Sequence, residues 1–357
     1  MDELQKIEKI EKILASRSEV DKTSIPLIEK TALVQAYSYG FKSLGKFLGK
    51  LLGYSDKHLK ALQNESIIRV SIHCNWLLPG ELRLLWNKMS KGKFTWNKIL
   101  IVKNPAKANF HVVINSTNEK IDFSRTIIFQ MEPNMNNHPD IWGEWANPDP
   151  QKFFRVFTHK NSFNNCEWHL GSSYIQLKNR VVKNPELSGI ISSVLSAKYH
   201  DPGHIKRIDF AKFLDSKEDI TLHVFGHDSG FKNYKGSLPY HNKNDAMMPY
   251  FYTFNVENQE IPNYFTEKII DSILSESLIF YHGPRNIRDY FDERAFVWLD
   301  LEDFESDYNL IKKVILEDWR TIRLPYIKKE KERILEDLQF YPRLEKILHN
   351  CDSKNKL

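Results

Sequence analysis

The stretch that most constrains this chain is residues 249–284, PYFYTFNVENQEIPNYFTEKIIDSILSESLIFYHGP. Its opening, Pro249 to Val256, is apolar and aromatic and reads as a buried strand. A polar loop containing Pro262 follows, and then Ile269, Ile270, Ile273 and Leu274 recur at helical spacing. Leu278 to Tyr281 forms a second short apolar strand, stopped by Gly283-Pro284. Strand, helix and strand in that order predict parallel pairing through a right-handed crossover. The polar residues Glu257, Asn258, Tyr264, Glu267 and Lys268 gather in the loop and the first helical turn. In an open α/β sheet that edge is where ligands sit. Free N–H groups and partial positive charge at a helix start also suit phosphate.

The same alternation runs through most of the chain. Ile67–Ile72, Ile99–Val102, Phe110–Ile114, Thr126–Gln130 and Phe153–Phe157 are predicted strands, with a further one at Glu167–Leu170. A helix is predicted over Pro79–Met89. The proline-bearing stretch Lys178–Pro185 is the best linker. Beyond it come a strand at Ile190–Leu195, a helix at Lys206–Leu214, a strand at Ile220–Gly226, a loop from Asp228 to Asn244, and charged helices from Tyr308 to His349. Short apolar strands between helices make the fold class α/β, with two Rossmann-like domains at 62–182 and 183–357.

Residues 1–61 read instead as a helical extension. Within residues 37–53, Phe41, Leu44, Phe47, Leu48, Leu51 and Leu52 share one face, opposite Lys42, Lys46 and Lys50. Such a stripe most often packs on its own domain or on a partner subunit. The alternative use is peripheral contact with an anionic membrane surface.

With 357 residues and 41% hydrophobic content, the chain can bury a sizeable core in each domain. A net charge of +5 favours anionic ligands without the basic clustering of a nucleic-acid binder. Cys74, Cys166 and Cys351 are far apart and fit neither a disulfide framework nor a zinc motif. Thirteen histidines are scattered without ligand spacing, so no metal site is read from the sequence. Neither a secretory leader nor an apolar run of membrane-spanning length is present, and a cytoplasmic location is the expectation.

Tyr264-Phe265-Thr266-Glu267-Lys268 resembles the YVTEK-type motif of glycosyltransferase family 10, the α-1,3/1,4-fucosyltransferases, and Glu257-Asn258 resembles that family's FEN. Phe280–Pro284, Phe296-Val297 and Asp303-Phe304 continue in the same order, so the likeness is densest from about Ser188 to Leu316. It is closer to bacterial or viral members, which lack a Golgi anchor, than to animal ones. The resemblance implies a GT-B fold, with the N-terminal half holding a glycan acceptor and the C-terminal half holding GDP-fucose. It further implies inverting transfer without a metal or other cofactor.

By the same resemblance, Arg207 and Lys268 contact the donor diphosphate, and Glu267 contacts its sugar region. Tyr264 meets the nucleotide, while Glu257 and Asn258 hold ribose or sugar hydroxyls. Glu132, in Gln130-Met131-Glu132-Pro133, matches the proposed general base, with Glu144, Asp140 and His138 in reserve. One departure stands out: Ala197 follows Ser196 where the family commonly has asparagine. Lys206 lies beside Arg207, leaving the register open by one residue. Another nucleotide sugar, or a catalytically silent sugar-nucleotide-binding or membrane-associated homologue, are the alternatives.

Overall fold

Short runs of aliphatic and aromatic residues set the strands, because a strand covered on both faces needs apolar side chains on both. The computed structural model describes residues 67–133, 147–160, 162–165, 167–180, 187–228 and 230–352. The predicted extension 1–61, its stripe at residues 37–53, linker residues 181–186, and Asp140, Glu144 and His138 lie outside the described residues.

One sheet comprises β1 (Ile68–His73), β2 (Thr95–Trp96), β3 (Ile99–Ile101), β4 (Phe110–Ile114), β5 (Thr126–Gln130) and β6 (Arg155–Thr158). Its order is β2-β3-β1-β4-β5-β6, parallel except for the β2–β3 hairpin. The other comprises β7 (Leu187–Leu195), β8 (Thr221–Gly226), β9 (Tyr234–Gly236), β10 (Tyr250–Val256), β11 (Leu278–His282) and β12 (Phe296–Trp298). It is parallel throughout, in the order β9-β8-β7-β10-β11-β12. In each sheet the winding reverses once, between β1 and β4 and between β7 and β10. A crevice opens at the carboxyl ends of the strands at such a reversal. Two Rossmann-like sheets that share a crevice form a GT-B fold.

Among the described residues, eight α-helices flank the strands: α1 (Pro79–Trp86), α2 (Tyr174–Lys178), α3 (Pro202–Ser216), α4 (Asn244–Met247), α5 (Glu267–Leu274), α6 (Phe304–Leu316), α7 (Trp319–Arg333) and α8 (Phe340–Asp352). The unit read first in the sequence is present as β10-α5-β11, with Thr253 in register with Ile279 and Phe254 with Phe280. Thr266 caps α5, and the apolar positions Ile269, Ile270, Ile273 and Leu274 are all buried.

Three local expectations are corrected. Residues 167–170 form no strand; they have no regular secondary structure and pair in neither sheet, and Trp168 and Leu170 are apolar because both are buried in the core. Helix α3 starts at Pro202 rather than near Lys206, since proline in the first turn forfeits no needed donor, so Arg207 lies one turn inside it. The stretch 228–244 contains the short strand β9, whose three residues offer no apolar run to read.

Helix α8, far along the chain, packs on the first sheet. Phe340 is fully buried, its ring 4.8 Å from that of Trp86 and 6.4 Å from that of Phe129. Tyr341 stacks on Trp96 at 5.9 Å, and Glu345 accepts from Trp96 Nε1 at 3.1 Å and from Asn97 Nδ2 at 2.8 Å. This last helix therefore clasps the half of the fold that begins at β1. Replacing Phe340 by Ala should cost about 3–5 kcal/mol of unfolding free energy in urea titration. A loss below about 1 kcal/mol would mean that α8 does not hold the first sheet.

Candidate active site

The buried carboxylate of Glu257 organises the loop between β10 and α5. Its Oε1 accepts from Thr266 N at 2.9 Å and Tyr281 OH at 3.1 Å. Its Oε2 accepts from Thr266 Oγ1 at 2.7 Å and Lys268 Nζ at 3.3 Å. Glu257 thus spends its acceptors on its own loop. The resemblance gave it ribose or sugar hydroxyls; the geometry makes it the residue that positions Thr266 and Lys268. The Asn258 carbonyl accepts from Gly203 N at 3.1 Å. A Cβ at Gly203 would lie 1.8 Å from the Glu257 carbonyl oxygen, so only glycine lets the start of α3 approach this backbone. Asn263, at φ 65°, ties the loop to the other half by donating from Nδ2 to the His159 carbonyl at 2.8 Å.

Three cations surround the loop. Arg207 is 3% exposed, yet its NH1 and NH2 make only long bonds, 3.4 Å to the Val256 carbonyl and 3.3 Å to Ser196 Oγ. Its Nε is buried without a partner. Burial lowers its pKa, and Glu257, Glu267 and Tyr264 oppose that only in part. Val256 ends β10 and the strand before Ser196 is β7, so this guanidinium lies at the winding reversal of the second sheet. Neighbouring Lys206 instead pairs with Glu302 at 2.5 Å near the surface, which settles the register in favour of Arg207 as the buried cation. Lys268 lies 3.9 Å from Glu267 as well as beside Glu257.

The third cation, Lys243, was not legible in the sequence. It bridges Glu267 at 3.1 Å and the fully buried Asp271 at 2.9 Å. Burial works against its charge, but Asp271 and Glu267 outweigh burial and hold the ammonium well above its ordinary range. Burial also opposes ionisation of Glu267, and Lys243, Lys268 and His169 together hold that carboxyl well below the usual range.

A cavity of about 290 Å³ opens between the two sheets. Asn115 and Glu132 line it from the first half, and Asn258, Tyr264, Glu267 and Lys268 from the second. Of the residues singled out from sequence, only Glu257 and Arg207 stand behind the wall. Glu132 follows β5, and among the described residues its carboxylate accepts no hydrogen bond. Burial raises its pKa, with Glu267 adding to the rise and Lys268 countering it. Tyr264 is 1% exposed, its hydroxyl pushed well above the ordinary range by burial first and then by Glu132 and Glu257. A second cavity, of about 430 Å³, opens over the ends of β7 and β8, lined by Ser196, Ala197, Gly226, His227 and Leu238. His169 lines both cavities. Its Nε2 is 3.2 Å from Glu167 Oε1, and its ring is 4.0 Å from that of His241. Burial, aided by His169, holds His241 down to about 4.

No protein-family model matches the chain, and no curated protein matches it. Solved structures do. One is an α1,3-fucosyltransferase with GDP, at 17% identity over 77% of this chain and 92% of that one, with a TM-score of 0.44. Another is an α-glucosyltransferase in complex with UDP and a 13-mer DNA containing a HMU base, at 10% identity over 79% and 99% of the chains, TM-score 0.49. A third is WaaG, a glycosyltransferase involved in lipopolysaccharide biosynthesis, at 9% identity over 78% and 98%, TM-score 0.48. Among the described residues no helix is long and apolar enough to cross a membrane.

The raised pKa of Glu132 has a consequence for stability. A carboxyl whose folded pKa exceeds its unfolded value favours the folded state while protonated, and that contribution is lost as pH rises through the folded pKa. Glu132→Gln mimics the protonated form at every pH. The variant should melt at a higher temperature than the parent at pH 7 and at the same temperature near pH 4, below the ordinary glutamate pKa of about 4.3. A lower melting temperature at pH 7 would mean that the ionised carboxylate is structurally paired.

Proposed function

We propose that this protein is an inverting glycosyltransferase that transfers a sugar from a nucleoside diphosphate donor, foremost fucose from GDP-fucose, to a hydroxyl of a glycan acceptor. The observation that carries the reading is Arg207, a buried guanidinium with long bonds and an unpartnered Nε at the winding reversal of the second sheet. A buried cation so poorly satisfied is stable only with an anion nearby, and a planar fork suits paired phosphate oxygens. The motif register around Tyr264–Lys268 supports the same reading and adds fucose as the sugar.

In this mechanism the acceptor oxygen attacks the anomeric carbon from the side of the first sheet. Its proton passes to Glu132, whose carboxylate accepts no hydrogen bond among the described residues and whose raised pKa brings it closer to the working pH. The bond from the anomeric carbon to the phosphate oxygen breaks, and Arg207 and Lys268 stabilise the charge that develops on the leaving diphosphate. Glu267, held ionised by Lys243, faces the positive character that grows on the sugar ring. These two cations supply the neutralisation at the diphosphate, so the proposed reaction needs no divalent ion there. A different donor sugar has one observation in its favour: Ala197, where the family commonly has asparagine, lines the larger cavity.

Arg207→Met removes the charge and keeps the bulk. It should weaken GDP binding by roughly 2–5 kcal/mol in calorimetry. Its melting temperature should hold or rise, since burial of the charge outweighs its nearby carboxylates and its bonds are long; a large fall in melting temperature with GDP affinity intact would make Arg207 a structural residue. Glu132→Gln should lower turnover on the order of 10²–10⁴-fold while leaving GDP affinity unchanged. Equal turnover in variant and parent would remove Glu132 as the base.

A further inference from the structure

The geometry points to a binding site for one transition-metal ion of the zinc class, held by Glu167, His169 and His241 where the two cavities meet. One ligand atom from each of the three residues lies within 4.8 Å of the others. The separation of 3.2 Å between His169 Nε2 and Glu167 Oε1 is close to that of adjacent ligands around a tetrahedral ion, roughly 3.3 Å for bonds of about 2.0–2.1 Å. The His241 ring is 4.0 Å from that of His169 and inclined at 64° to it, with a ring nitrogen within 4.8 Å of the other two ligand atoms. Two imidazoles and one carboxylate suit zinc, copper or nickel rather than magnesium.

The surroundings orient these groups as an outer shell does. Trp86 Nε1 donates to the far oxygen of Glu167 at 3.0 Å. The His169 backbone N–H donates to Asp271 Oδ1 at 2.7 Å, and Lys88 Nζ donates to the His241 backbone carbonyl at 3.1 Å, so both histidines are held by their main chain. Nδ1 of His241 is buried with no hydrogen-bond partner, an unfilled position of the kind a ligand satisfies. Lys243 and Lys88 bring positive charge to the neighbourhood, and Glu267 and Asp271 balance it. The second His and Asp cluster, His200, Asp201 and His204, also has a buried imidazole nitrogen without a hydrogen-bond partner, on His204, but it lines neither cavity and His200 is exposed. Glu167 and His169 belong to the segment after β6, and His241 to the loop between β9 and α4. A bound ion would therefore fasten the segment that joins the halves to the donor-side loop.

The test uses the full-length protein, stripped with chelator and titrated with Zn²⁺ in a calorimeter and with Co²⁺ in a visible spectrometer. One ion per chain is expected, with the d–d absorption of a four-coordinate site, and a rise in melting temperature that tracks occupancy. Glu167→Gln, which keeps the shape, and His241→Ala should each weaken binding by more than about 10-fold, while His200→Ala should not. The proposal fails if no saturable binding occurs, or if both variants bind as the parent does, which would place the ion on cysteines or exposed histidines. Because the readout is metal binding, its failure leaves the glycosyl-transfer reading untouched, and loss of turnover leaves the metal site untouched.

Discussion

The active-site arrangement depends on one buried carboxylate. Glu257 accepts four hydrogen bonds, and its partners come from the loop, the first turn of α5 and the following strand. With the carboxylate satisfied, the chain between β10 and α5 has one path, and that path sends Tyr264, Glu267 and Lys268 to the cavity wall. Gly203 completes the constraint from outside, because the start of α3 touches the same backbone.

Charge in the cleft is arranged as unequal pairs. Glu267 and Asp271 are paired with Lys243, and Lys268 lies beside Glu267. Arg207 and Glu132 form no ion pair among the described residues. One is a buried cation with long bonds, the other a half-buried carboxylate with a raised pKa, and both work against the stability of the folded state. Groups of opposite sign, one at each half of a shared cleft, are what the proposed transfer would use, an anion leaving on one side and a proton accepted on the other. Asn263, through His159, and the His169 backbone N–H, through Asp271, link the two halves on either side of the cavity.

Much of the fold was legible because its strands are short, apolar and separated by helices, and a strand buried on both faces has no other composition available. The β10-α5-β11 unit was read nearly to the residue, since Thr266 caps the helix and Gly283-Pro284 ends the strand. Residues 167–170 misled because Trp168 and Leu170 are apolar for packing rather than for pairing, and alternation alone does not separate those causes. Strands β2, β9 and β12 were missed for the opposite reason: two or three residues are too few to show a period.

The sequence by itself determined the parallel α/β architecture, the loop that carries Glu257 to Lys268, and the chemical types available at the candidate site. These follow from local pattern: periodicity, caps, and residue types clustered at a strand end. Only the tertiary structure decided which residues meet. It placed Glu132 opposite Lys268, brought Lys243 to Glu267 and Asp271, set His241 beside His169, and returned α8 to the first sheet. It also showed that Arg207, not Lys206, is the buried cation, and that Glu257 serves its own loop. The physical reason is range. Backbone preferences act within a few residues, whereas ion pairs, ligand clusters and desolvation depend on distances between segments far apart in the chain.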